Sequence, residues 1–243
     1  MEQKSNYADS RLINDCIYCG GAATTREHVP SRVFLDRPYP NNLPVVGACK
    51  SCNQGFSLDE QYLICLFEAI ITGSADPKKM RRETVAKALK RSPALRTRIE
   101  SATKIDGNNI IFDVEESRIK NVLLKVARGH AAYELSQPCP REPTYFWWGP
   151  LNILSETERE QFNMPHVQQM LSEIGSRNIQ RMQVIEILLQ SEDGKKVTQG
   201  LVLNDWIDVQ DGYYRFLAID DIGGVVVRMV ISEYFACEVL WKV

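Results

Sequence analysis

Apolar positions recur at helical spacing in two stretches of the chain. Between residues 57 and 71, Leu63, Leu66, Phe67 and Ile70 fall on one side of a helix, and Gly73 marks its end. Between 115 and 135, Ile119, Val122, Leu123, Val126 and His130 do the same. Ser57-Leu58-Asp59-Glu60 has the form of a capping box, with Ser57 as the cap and Glu60 three residues on. Asp76-Pro77 opens a further helical region over 78–100, where Pro93 forces a break. Toward the end the pattern changes. The runs 213–219, 225–231 and 235–241 are alternating or continuously apolar, with turn signals at Asp211-Gly212 and Gly223-Gly224, and predict an antiparallel meander. Residues 109–114 and 144–148 read as strands and 155–162 as a short capped helix, whereas 179–190 fits strand or helix.

Residues 11–57 have a different texture. Gly20-Gly21, Pro30, Pro38, Pro40, Asn41-Asn42 and Pro44 make this a turn-rich stretch, suited to a small stapled motif rather than a layered core. Short extended pieces are expected over 24–29 and 43–46, and a helical turn from about residue 50. With a boundary near 73–77, the pattern predicts an α+β protein. A small module over 1–75 would precede a basic helical segment and a mixed region with an antiparallel sheet over 76–243.

The 243 residues, 44% hydrophobic and 25% charged, are enough to bury a real core. The net charge of -2 hides a stripe, since 1–76 carries -3, 77–130 carries +8 and 131–243 carries -7. Met1-Glu2-Gln3-Lys4-Ser5-Asn6 lacks a signal pattern, and the apolar run 62–71 contains Glu68 and is too short to cross a bilayer. A cytoplasmic protein with no membrane partner is expected. Seven cysteines, of which Cys65, Cys139 and Cys237 are scattered, fit a reducing compartment rather than a disulfide scaffold.

The other four form two pairs, Cys16-x-x-Cys19 and Cys49-x-x-Cys52, with the spacing of a structural Zn²⁺ site. Between them lie Glu27 and His28, and Asn53 follows the last cysteine. Hydrolysis of a phosphodiester needs a base that works near neutral pH, which suits His28. It also needs a hard cation such as Mg²⁺ on oxygen ligands, which Glu27 and Asn53 offer. Asn42 can orient the imidazole. Neighbours on a strand point to opposite faces, so Glu27 and His28 share a site only if the strand ends or twists there, and Pro30 suggests such an ending.

These residues resemble the HNH endonucleases with the ββα-metal motif. The resemblance rests on Cys16-Ile17-Tyr18-Cys19-Gly20, Glu27-His28-Val29-Pro30, Asn42-Leu43 and Cys49-Lys50-Ser51-Cys52-Asn53, and covers about residues 14–61. It implies His28 as general base, Asn53 and Glu27 as ligands of the catalytic metal, and Asn42 as the orienting residue. Glu27 stands where the family commonly has Asp. The Asn-Leu pair lies farther from the second knuckle than usual, so Asn41 can equally hold the orienting role.

Lys78, Lys79, Arg81, Arg82, Lys87, Lys90 and Arg91 read either as a solvated helix surface or, beside a nuclease module, as phosphate contacts. The partner would then be nucleic acid, with DNA favoured, and a double-strand cut from one site per chain would favour a homodimer. A zinc-stabilised module that binds nucleic acid or protein without catalysis is the competing reading. His130, on an apolar helix face, is expected to be a packed core histidine, and His166 an exposed residue near a helix start.

Overall fold

The computed structural model describes residues 9–106, 109–191 and 193–242, so Met1–Asn6 lies outside the described residues. The protein is α+β. Strands β1 (Thr25–His28) and β2 (Val45–Ala48) pair antiparallel, with His28 opposite Val45 and Glu27 opposite Val46. They lead into α1 (Lys50–Gly55) and, after a single turn residue, α2 (Ser57–Thr72). Gly73 ends α2 at φ +65°, its amide reaching back to the carbonyls of Ala69 and Ile70. The basic region forms α3 (Glu83–Arg91) and α4 (Pro93–Ala102), broken at Pro93 as the sequence requires. A short ribbon, β3 (Thr103–Asp106) with β4 (Asn109–Phe112), then precedes α5 (Glu116–Leu135).

The second half is mostly sheet. β5 (Tyr145–Pro150) is followed by α6 (Glu156–Asn163), which carries a complete Ser155–Glu158 capping box. β6 (His166–Gln168), β7 (Gln183–Gln190) and β8 (Lys196–Asn204) form a three-stranded sheet in the order β6-β8-β7. The ambiguous 179–190 stretch is thus a strand from residue 183. Every described side chain of β7 is exposed, which accounts for the lack of a clear period there. β9 (Ile207–Gln210), β10 (Tyr214–Asp221), β11 (Gly224–Ile231) and β12 (Phe235–Trp241) complete a five-stranded antiparallel sheet, ordered β5-β12-β11-β10-β9. The meander turns where expected. At Gly224, φ is +107° and a Cβ would lie 2.2 Å from the Trp241 carbonyl oxygen, so only glycine fits.

α5 packs on this sheet and α2 packs on α5, with the Phe67 and Phe235 rings stacked at 3.6 Å. One cluster of buried apolar side chains draws on Leu63 and Phe67 of α2, Val85 and Leu89 of α3, Val122 of α5, and Phe216, Val227 and Val239 of the sheet. The expected boundary at 73–77 therefore does not separate two cores. α2 belongs to the same core as the carboxy-terminal sheet, because its apolar side is wide enough to serve both α3 and α5. Among the described residues no helix is long and apolar enough to cross a membrane.

Candidate functional site

The first knuckle is a tight turn. The Gly20 amide donates to the Cys16 carbonyl at 2.8 Å, and Gly20 takes φ +73°, a conformation glycine adopts without strain. β2 delivers Cys49 to the start of α1, where its Sγ accepts the Cys52 amide at 3.4 Å. The two pairs converge, with all four Sγ atoms within 4.8 Å of one another and those of Cys19 and Cys49 3.9 Å apart. Tetrahedral zinc with bonds of roughly 2.3 Å sets its sulfurs roughly 3.8 Å apart. The cluster therefore has the dimensions to hold a metal ion such as zinc. The Cys52 amide, donating to Cys49 Sγ, holds that thiol down to about 7, whereas burial and the neighbouring thiols push Cys52 up. A thiolate is thus available near neutral pH to begin metal binding.

β1 ends at His28, which is half-buried. Asn53, one residue past the last cysteine, sits on α1 facing this strand. Its side-chain amide nitrogen donates to Thr25 Oγ1 at 3.0 Å and to the Arg26 carbonyl at 3.3 Å. Thr25 Oγ1 in turn donates to the Ala48 carbonyl at 2.9 Å, so β1, β2 and α1 are tied at one corner. The acidic neighbour of the histidine turns inward. Glu27 Oε1 lies 3.0 Å from the ammonium of Lys125, a buried α5 residue whose side chain is 1% exposed. Burial pushes the Glu27 carboxyl above its ordinary range, and Lys125 draws it back.

Glu60 also meets this ammonium, through Oε1, and accepts the Ser31 hydroxyl at 2.5 Å. The capping box expected at 57–60 is not formed. α2 begins almost continuously from α1, with Phe56 in a right-handed helical conformation accepting the Glu60 amide at 2.9 Å. Its first turn therefore has no need of a serine cap, and Ser57 instead donates to the Gln54 carbonyl at 3.0 Å. Asp59 is taken by Arg118 at 3.3 Å and by the Asn121 amide at 2.8 Å.

Asn41 and Asn42 are both exposed on the loop before β2. Asn42 lines a cavity of about 360 Å³ together with Tyr133, Glu134, Arg177 and Arg181. Of the basic residues, Lys78, Lys79, Arg81, Lys87, Lys90 and Arg91 are exposed, with Arg81 paired to the buried Glu68 at 2.7 Å and Lys87 to Glu83 at 2.6 Å. Arg82 is not part of that surface. It is buried, and its guanidinium donates to the Leu35 carbonyl at 2.6 Å and lies over the Tyr213 ring. It stands immediately before α3, and sequence alone gives it the same look as its exposed neighbours.

His130 is buried as expected, stacked on Phe216 at 3.7 Å with Nε2 2.9 Å from the Tyr214 hydroxyl. His166 is neither near a helix start nor exposed. It lies in β6, half-buried, with Nε2 2.7 Å from Asp221, a partner 55 residues away that the local sequence does not announce. The residue that the sequence reading missed is Lys125. The signal was present, because Lys125 falls in phase with Val122, Val126 and Gly129 on the apolar side of α5. A lysine in that phase implies buried carboxylates opposite it. Comparison of the chain with known protein families, with curated proteins and with solved structures finds no match.

Proposed function

We propose that residues 16–55 form a zinc-clamped HNH-type nuclease module, and that the protein hydrolyses phosphodiester bonds in nucleic acid, with DNA the expected substrate. One observation carries this reading. A four-thiol cluster of zinc dimensions holds two strands and a helix together, with His28 at the end of the first strand and Asn53 fastened across it from the helix. In this reading His28 takes a proton from a water that attacks the phosphate in line. The imidazole stays at the strand end because β2 pairs with β1 through His28 and Val45.

A divalent cation, where bound, neutralises charge on the phosphate and on the departing oxygen. Asn53 suits such an ion. Its amide nitrogen is committed to Thr25 and Arg26, so its carbonyl oxygen, a hard donor, is the atom left for a ligand. Glu27 does not fit as it stands, because Lys125 occupies its Oε1. Lys78, Lys79, Lys90 and Arg91 are exposed, and among the described residues no salt bridge engages them, which suits backbone phosphates of a long substrate.

The test is cleavage of supercoiled plasmid by zinc-loaded protein in Mg²⁺ or Mn²⁺, with and without chelator. Nicking or linearisation that disappears in His28→Ala, while zinc content and unfolding midpoint are kept, supports the reading. Retained nicking by His28→Ala, or an inert zinc-loaded wild-type protein, overturns it.

A further inference from the structure

Lys125 is an ammonium with three donors, and three acceptors surround it. These are Glu27 Oε1 at 3.0 Å, Ser31 Oγ at 3.0 Å and Glu60 Oε1. The Phe56 ring closes the same spot, its centroid 5.1 Å from Nζ. Burying an ammonium this completely is tolerated only where paired acceptors replace its water. Here the acceptors come from β1, from the loop that follows it and from α2, none of them the helix that bears the lysine.

Their positions along the chain give the arrangement its meaning. Glu27 immediately precedes His28 and Ser31 follows it by three residues, so one ammonium on α5 holds the chain on both sides of the histidine. Val29, between them, is pressed against Gly129 of the same helix, one turn beyond Lys125. Residues 27, 29 and 31 are thus all gripped by α5. A cation added at Glu27 Oε1, on a metal–oxygen bond of about 2.1 Å, would lie within about 5 Å of the ammonium, a like-charge contact in a buried place.

We propose that Lys125 is the fixed cation of this site, and that Glu27 acts through it as a positioning residue for His28 rather than as a ligand of an exchangeable metal. The inference rests on the nuclease reading for the role of His28, but the Glu27–Lys125 link is testable without it.

The experiment compares wild type, Glu27→Gln, Lys125→Met and the double variant, all zinc-loaded and full-length. It reads thermal unfolding, Mn²⁺ uptake by the resonance signal of the free ion, and plasmid cleavage. Glu27→Gln is nearly isosteric and is the variant expected to stay folded. Lys125→Met leaves two adjacent carboxylates without their cation, and its unfolding midpoint should fall by roughly 6–20 °C. Adding Glu27→Gln to it should restore part of that loss. Mn²⁺ half-saturation in Glu27→Gln should stay within about twofold of wild type, while its cleavage rate falls at saturating metal.

A loss of Mn²⁺ affinity of about tenfold or more in Glu27→Gln, the size seen when a ligand or its direct support is removed, overturns the proposal. So does a double variant no more stable than Lys125→Met. If no protein takes up Mn²⁺ or cuts plasmid, the nuclease reading fails, and the unfolding comparison alone decides the role of Lys125.

Discussion

The Asn53 side-chain nitrogen and Thr25 Oγ1 are 3.0 Å apart, which fixes a helix residue directly after a zinc-spaced cysteine to the first residue of β1. Thr25 also donates to the Ala48 carbonyl, so its hydroxyl serves α1 and β2 at once. Thr25→Val keeps the shape and removes both bonds. The expected cost is about 1–2 kcal/mol of stability in denaturant unfolding. On the nuclease reading proposed above, zinc content should be unchanged and cleavage should fall, because Asn53 loses the partner that aims its carbonyl oxygen. If Thr25→Val cuts plasmid at the wild-type rate, Asn53 is not held in place by this bond.

What the sequence made legible was whatever short-range pattern decides. The Cys16–Cys52 framework, α5 and the β10–β12 meander follow from spacing, apolar phase and turn glycines, and each is where those features place it. The misreadings share a cause in partners distant along the chain. Glu60 has the local signature of a capping residue, yet its carboxylate goes to Lys125, 65 residues on. Arg82 has the composition of a phosphate contact, yet the Leu35 carbonyl lies 47 residues before it. Nothing beside His166 in the chain announces Asp221, the partner 55 residues on that its ring meets. The packing of α2 was hidden in the same way, since the glycine that ends it says nothing about the α3, α5 and sheet side chains it meets.

His130 titrates at about 3 instead of 6.5, because burial disfavours the imidazolium, with Arg181 adding a smaller push in the same direction. Below pH 6.5 the unfolded chain takes up a proton that the folded one refuses. Stability contributed by this group is therefore complete above that pH, and declines by about 1.4 kcal/mol per pH unit as pH falls toward 3. His130→Gln can still hydrogen-bond Tyr214 but cannot titrate. Denaturant unfolding from pH 7 to 4 should show a shallower loss of stability in the variant than in wild type. Parallel curves would mean that His130 accepts a proton without unfolding.

Gly129 and Val29 test the grip of α5 on the chain around His28. A Cβ at Gly129 would lie 2.7 Å from Val29 Cγ2 and 3.1 Å from Cγ1, so both methyl groups flank the vacant position. Val29 is 1% exposed, and rotating about its branched Cβ brings one methyl into the place of the other. In an open helix Gly→Ala would add about 1 kcal/mol of stability through propensity. Here overpacking of about 1–3 kcal/mol opposes that gain, and the contact distance decides the sign. Gly129→Ala should be destabilised by about 1 kcal/mol net and, on the proposed nuclease reading, should cleave more slowly, since the residue displaced is the one next to His28. Val29→Ala alone leaves a cavity and also costs stability. In the double variant the new methyl enters that cavity, so the combined loss should be smaller than the sum of the single losses by about 1 kcal/mol or more. Additive losses would show that the two side chains do not meet, and would remove α5 as the element that sets the position of the histidine.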